Sequence, residues 1–494
     1  MRKQLQKKDI FWQGWFEGFF HLSLFLMLFD WACPIPYAIG PFGFYEGALC
    51  LTAIGFVGCF VQEKGRFVSR LWQVLGSAKA LVISFVAYVV FGFVTLLYGN
   101  NLSFGASRYI VVAQMAMFSV FLFYYLFPNE KADGLVGLKR LALNVGVTGF
   151  IIAVVAVFGY FSQWYTMYYQ RISPIRDYNQ YTTILLVCAV AFTVLLLNQR
   201  PLPFVKRYAL LTVYWVVMAT AVYLAGSRRS YVLLCLVAAV LGVYALYIRM
   251  KWHRKKGERL RTMGATVFGL GVCLVLCLGI ASTTYNVVGE LAPVRLQKAL
   301  EVLESTPKDE VDQSLLESVL LSGEQTKLGE TFAGIVDGSG FSSREAIWNA
   351  AYDKMKNADP VHLLFGYGSP YSWQLYDDLE NPAVVPVREY YHLEDDITLW
   401  MNPHNFLLQD ALEGGLVLVG IELALIAFTF FSFLKLLYRT PHTALPLAMM
   451  TGILYVTLVL SSGKGMVSHK FLWLFLVCQV AEMHRISRKK QMVG

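Results

Sequence analysis

Apolar runs about 20 residues long, separated by short polar connections, dominate the chain. Twelve can be marked out, at 11–32, 44–61, 80–98, 109–127, 141–161, 181–198, 208–225, 230–248, 263–282, 416–438, 443–461 and 469–484. Their length matches the hydrocarbon core of a bilayer. Lipid offers backbone groups no partners, so runs of this kind must be helices. The pattern therefore predicts an all-α polytopic membrane protein of about 12 transmembrane helices. The first run contains Glu17, His21 and Asp30, lacks a clear small-residue cleavage site and is followed at once by further runs, so it reads as a span and not as a cleavable signal. One interruption is long. The pattern divides the chain into helices 1–9 over 1–282, a polar loop domain over 283–415, and helices 10–12 with a tail over 416–494.

Composition agrees. Of the 494 residues, 56% are hydrophobic and 15% charged, against roughly 25% charged in soluble domains. Charge also sets orientation. Lys and Arg gather at alternate connections, with Arg2 to Lys8, Lys64 to Arg70, Lys131 to Arg140, Arg200 to Arg207, Arg249 to Arg261, Lys435 with Arg439, and Arg485 to Lys490 on one side. The positive-inside rule makes that side cytoplasmic, with both termini, and puts the long loop outside. Residues 283–403 hold 20 Asp/Glu against 8 Lys/Arg, although the whole chain is +9. The basic balance thus belongs to membrane flanks and not to a nucleic-acid surface. All 8 cysteines lie in or beside apolar runs and read as small buried hydrophobes.

Inside the loop, Ser342-Ser343-Arg344-Glu345 is a capping box. The helix it opens should run to about Asn357, before Pro360, with Ile347, Ala350, Ala351 and Met355 on its apolar face. Leu364-Phe365-Gly366-Tyr367-Gly368 reads as a turn. The rings of Trp373, Tyr376, Tyr390, Tyr391 and Trp400 suit either a packed domain or stacking on sugars.

The loop meets the tenth span at Asn402-Pro403-His404-Asn405-Phe406. Asn402 suits a helix N-cap and Pro403 the first helical position. His404 would then sit in the first turn, where the helix dipole disfavours imidazolium and leaves a neutral base. Such a helix end also holds anions. Against this stands an ordinary surface histidine. Arg176, Arg228 and Arg229 lie at outer ends of spans, where the positive-inside rule disfavours them. They can snorkel to headgroups or grip phosphate bidentately, and with Arg344 they suggest an anionic ligand. Lys464, His469 and Lys470 in the last outer turn extend the same basic character. Glu17 and Glu422 suit interhelical hydrogen bonds or a proton relay. A P-loop, HExxH, zinc-spaced Cys/His pairs and an Asp-rich sugar-nucleotide site are all absent, so no metal or cofactor is expected.

In order and placement, Pro403-His404-Asn405-Phe406-Leu407-Leu408-Gln409 with Glu413-Gly414-Gly415-Leu416, Arg344 with Trp348, Gly226-Ser227-Arg228-Arg229-Ser230, and Arg176 with Asn179 resemble the motifs of the O-antigen ligase and polymerase superfamily. The resemblance implies a glycosyltransferase fold of type C character and a metal-free transfer outside the cytoplasmic (inner) membrane. The donor would be an undecaprenyl-diphosphate-linked glycan. His404 would be the base, Arg176, Arg228, Arg229 and Arg344 the diphosphate contacts, and Asn405, Asn179 and Lys464 their support. The acceptor would be another glycan, for a polymerase of O-antigen or capsule, or lipid A–core or protein, for a ligase. The large acidic, aromatic loop leans toward the polymerase. A polysaccharide flippase is the alternative of another class, but the polar groups cluster at the outer face and no internal repeat is visible.

Overall fold

A computed structural model describes residues 2–29, 43–129, 132, 134–161, 178–198, 203–225, 228–252, 264–269, 271–272, 275, 279–280, 283, 342–390, 401–461 and 467–493. The architecture is helical. In chain order, α1 is Arg2–Phe29, α2 Phe44–Gln62, α3 Arg66–Gly76, α4 Lys79–Leu97, α5 Leu102–Leu126, α6 Leu135–Phe161, α7 Tyr178–Asn198, α8 Phe204–Leu224 and α9 Arg228–Trp252. Then come α10 Ser342–Lys356, α11 Pro360–Phe365, two single 3-10 turns, α12 Val385–Tyr390, α13 Phe406–Arg439, α14 Pro441–Ser461 and α15 Val467–Val493. Among the described residues nine helices are long and apolar enough to cross a membrane: α2, α4 to α9, α13 and α14.

The chain divides into two compact units. One comprises residues 1–20, 49–138 and 337–494. Within it α13 packs on α4, α11 and α14, and α15 packs on α14 and α5. α15 is sheathed in protein, burying Phe471 to Cys478 on every side together with His469, Lys470, Gln479, Glu482, His484 and Arg485. The Glu482 carboxylate takes the Arg485 guanidinium and the Thr443 hydroxyl. These polar side chains are buried because they face protein partners that take up their hydrogen bonds.

The other unit holds residues 21–48 and 139–336. Its centre is α7, which packs on both α8 and α9. Tyr181 to Val190 are buried all round, as expected of an interior helix.

In the first unit a small non-membrane core stands on α10. Ile347, Ala350, Ala351 and Met355 are buried against Leu375, Tyr376, Val384, Val387, Met401 and Leu412 of α13. Lys354, on the flank of α10, bonds Asp378 at 2.6 Å and lies over the rings of Tyr367 and Tyr371. Burial pushes its ammonium pKa down, but Asp378 and Tyr371 outweigh burial and raise it. The lysine is thus a fixed positive strut between α10 and the segment that follows α11.

Candidate functional site

The chain enters α13 through Met401, Asn402 and Pro403, all buried. Asn402 turns its side chain back, and its Oδ1 accepts the His404 N–H at 2.7 Å. His404 then adopts φ 50°, in the left-handed region. Few L-residues enter that region, and histidine is among the more tolerant. A residue so placed cannot belong to a helix, so α13 starts only at Phe406. Asn405 is its N-cap, accepting the Leu407 and Leu408 N–H groups at 3.0 and 3.3 Å. This corrects the sequence expectation of a cap at Asn402 and a first helical residue at Pro403. The Asn402 side chain is committed to the turn, and His404 stands just outside the helix, half-buried.

Two neighbours hold this turn. Trp348 on α10 donates its indole N–H to the Pro403 carbonyl at 2.9 Å. Phe406 is buried, its ring 6.4 Å from that of Tyr455 on α14. The histidine therefore rides on backbone fixed by two helices, the rigid support a catalytic group requires. Arg344, one turn before Trp348, donates Nη1 to the Leu460 carbonyl at 2.5 Å near the end of α14. The described residues give its remaining donors no partner.

α13 is broken two turns in. Gly415 has φ 62° and ψ −163°, outside the helical range. The break diverts the carbonyls ahead of it, which bond instead to the Gly366-Tyr367-Gly368 turn: Tyr367 N–H donates to Leu412 at 2.8 Å and Gly368 N–H to Glu413 at 3.0 Å. Backbone meets backbone here. A Cβ on Gly415 would lie 2.4 Å from the Leu364 carbonyl carbon, and one on Gly366 would lie 2.5 Å from that of Glu413. Only glycine permits this approach.

Between the cap and the break lie buried polar groups. Glu413 accepts the Ser372 hydroxyl and, at 3.3 Å, the Gln409 amide. Asp410 and Glu422 are buried on the same helix, and both interact with the Tyr88 phenol of α4. Sequence reading quoted Glu413 only within a signature and passed over Asp410. Their spacing of three along an otherwise apolar helix was the available signal.

The other unit carries the arginine doublet. Arg229 is turned onto α7, donating Nη2 to the Asn179 carbonyl at 2.6 Å and to Thr183 Oγ1 at 2.9 Å. Thr182 and Ser230 join their hydroxyls one step further on. Asn179 is buried and serves this clamp through its backbone oxygen. Arg228 is the first residue of α9, with a side chain outside the described residues, as are Arg176 and Lys464 entirely. Among the described residues no three His, Cys, Asp or Glu side chains gather as a metal-holding group.

No curated protein matches the chain. Residues 213–422 match the model of a family described as O-antigen ligase, a span that includes Arg228, Arg229, Arg344 and His404.

Proposed function

We propose, from the match of residues 213–422 to the O-antigen ligase family, that the chain is a member of the O-antigen ligase and polymerase superfamily of surface-polysaccharide assembly and transfers a glycan from an undecaprenyl-diphosphate carrier to the hydroxyl of a second glycan. The reading includes about twelve spans of type C glycosyltransferase character in the cytoplasmic (inner) membrane, both termini cytoplasmic and the chemistry outside. The observation that carries it is the fixed, left-handed His404 turn.

In this reading His404 takes the proton of the acceptor hydroxyl. The hydroxyl oxygen bonds to the anomeric carbon of the donor sugar. The bond from that carbon to the phosphate oxygen breaks, and its electron pair leaves with undecaprenyl diphosphate. Arginines stabilise the charge gathering on that leaving group. Arg228, Arg176 and Arg344 are assigned this task, with Lys464 as support, and the reading calls for no metal or cofactor. Arg229 and Asn179 act as a clamp between α9 and α7, since the Arg229 Nη2 is engaged there. Asn405 supports catalysis by capping α13.

The division of the doublet is testable. Arg228→Ala is expected to lower transfer about a hundredfold or more, the scale of losing one charge-stabilising donor, at unchanged folded yield. Arg229→Ala gives up two part-buried hydrogen bonds, which costs about 1–3 kcal/mol, and should first lower the melting temperature of the purified protein. Equal melting curves for the two variants would contradict the assignment. Trp348→Phe keeps the ring and deletes the N–H held by Pro403. It should cut the rate roughly tenfold through a loosened His404 turn while the protein level stays constant; an unchanged rate would show that this bond does not set the histidine's position.

The product is a polymer of repeat units in the preferred version, because the acidic and aromatic outer segment suits a growing glycan. In the alternative, finished glycan passes to lipid A–core or protein. A deletion strain separates them. Single-repeat products mean a polymerase was lost, whereas long chains left on the lipid carrier mean a ligase was lost.

A further inference from the structure

One edge of α10 carries Arg344, Trp348 and Tyr352 at intervals of four, so the three side chains follow one another along the helix. The first two are each tied to a backbone carbonyl, Arg344 to Leu460 and Trp348 to Pro403, beside His404. The third is not tied in this way: Tyr352 is 65% exposed. Next to it runs the outermost stripe of the helix, where Glu345, Asn349 and Lys356 are also exposed.

We infer that this edge of α10 is a glycan-binding track leading to His404. The inference rests on the reading of His404 given above and adds the path by which the acceptor chain reaches it. A saccharide presents apolar C–H faces and a rim of hydroxyls. It is therefore held by an exposed ring flanked by groups that both donate and accept hydrogen bonds. Tyr352 supplies the ring, while Asn349, Glu345 and Lys356 supply donors and acceptors of both signs. The rise from Trp348 to Tyr352 is about 6 Å, close to the length of one sugar unit, and the track is continuous with the catalytic turn through the bond from Trp348 to Pro403. A bilayer-facing edge would instead carry an apolar stripe; here the neighbours of Tyr352 are an amide, a carboxylate and an ammonium.

The test uses the full-length protein in lipid nanodiscs and reducing-end-labelled oligosaccharides of one and three repeat units, cut from the host's own surface polysaccharide. Equilibrium dialysis should show Tyr352→Ala binding the three-repeat chain about tenfold more weakly than wild type, the loss typical of truncating one anchoring ring. Tyr352→Phe should stay within about twofold, because the stacking face is kept. His404→Asn should bind as wild type does, so the track is scored in binding and the base in transfer, and either can fail without the other. Wild-type affinity in Tyr352→Ala overturns the track. So does a spin label at Tyr352→Cys that is relaxed by a lipid-soluble agent and not by a water-soluble one, since it would assign the ring to the membrane interface.

Discussion

Surface polymer made by a His404→Asn strain is expected to fall by about 10²–10⁴-fold, the contribution of a positioned general base. Asparagine is the informative replacement because the backbone here is left-handed, at φ 50°. Alanine would remove the imidazole and also strain the turn by about 1–2 kcal/mol, whereas asparagine tolerates that conformation. His404→Gly relieves the same strain and should melt at or above the wild-type temperature while remaining inactive. Both variants leave the Asn405 cap and the bond from Trp348 to Pro403 in place, so protein level and membrane insertion should not change. Polysaccharide gels read beside immunoblots of the membrane fraction check the outcome. Normal polymer from either variant would remove His404 from the chemistry.

Gly415→Ala is expected to be severely damaging for a change of one methyl group. Its backbone lies where only glycine is comfortable. The new methyl would stand 2.4 Å from both the carbon and the oxygen of the Leu364 carbonyl and 2.5 Å from the Phe365 nitrogen. Those are backbone atoms of a turn bonded to Leu412 and Glu413, so they cannot withdraw alone. Strain and overpacking together cost on the order of 2–6 kcal/mol. Gly420→Ala supplies the control. It lies on the same helix with nothing within 4 Å of the added carbon, and alanine favours a helix over glycine by up to about 1 kcal/mol. Thermal melts in detergent should separate the two widely; similar curves would mean that the turn yields and the contact is soft.

Much of this was legible in the sequence because lipid imposes length and apolarity together. The runs at 44–61, 80–98 and 181–198 fall on α2, α4 and α7 almost residue for residue. The runs at 11–32 and 469–484 fall on α1 and α15, which are long helices but not among the nine apolar ones. For α15 the reason is visible: a helix wrapped in protein can carry His469, Lys470, Glu482 and Arg485, which lower its apolarity. The start of α10 near Ser342 and its apolar face were readable because both are local patterns.

The entry to α13 was misread by three residues for an equally local reason. Asn402 and Asn405 both have a capping side chain, and Pro403 fits the first turn. The left-handed His404 decides between them, and nothing in the composition of the segment announces it. The break at Gly415 was also hidden, because its cause is a partner some 50 residues upstream. The clamp from Arg229 to α7 depends on which way one side chain of an adjacent pair points, which sequence does not record.

The joining of the 364–368 turn to the end of the first part of α13 ties a neck. Two hydrogen bonds, from Tyr367 to Leu412 and from Gly368 to Glu413, tie together the two ends of the intervening chain. Closing such a segment becomes harder only with the logarithm of its length, about 0.6 kcal/mol for each doubling. Length changes at exposed positions of this segment should therefore cost little at the neck, provided that the packed core and the His404 turn are kept. A segment exchanged here should be cut at the neck, where the two hydrogen bonds hold both ends.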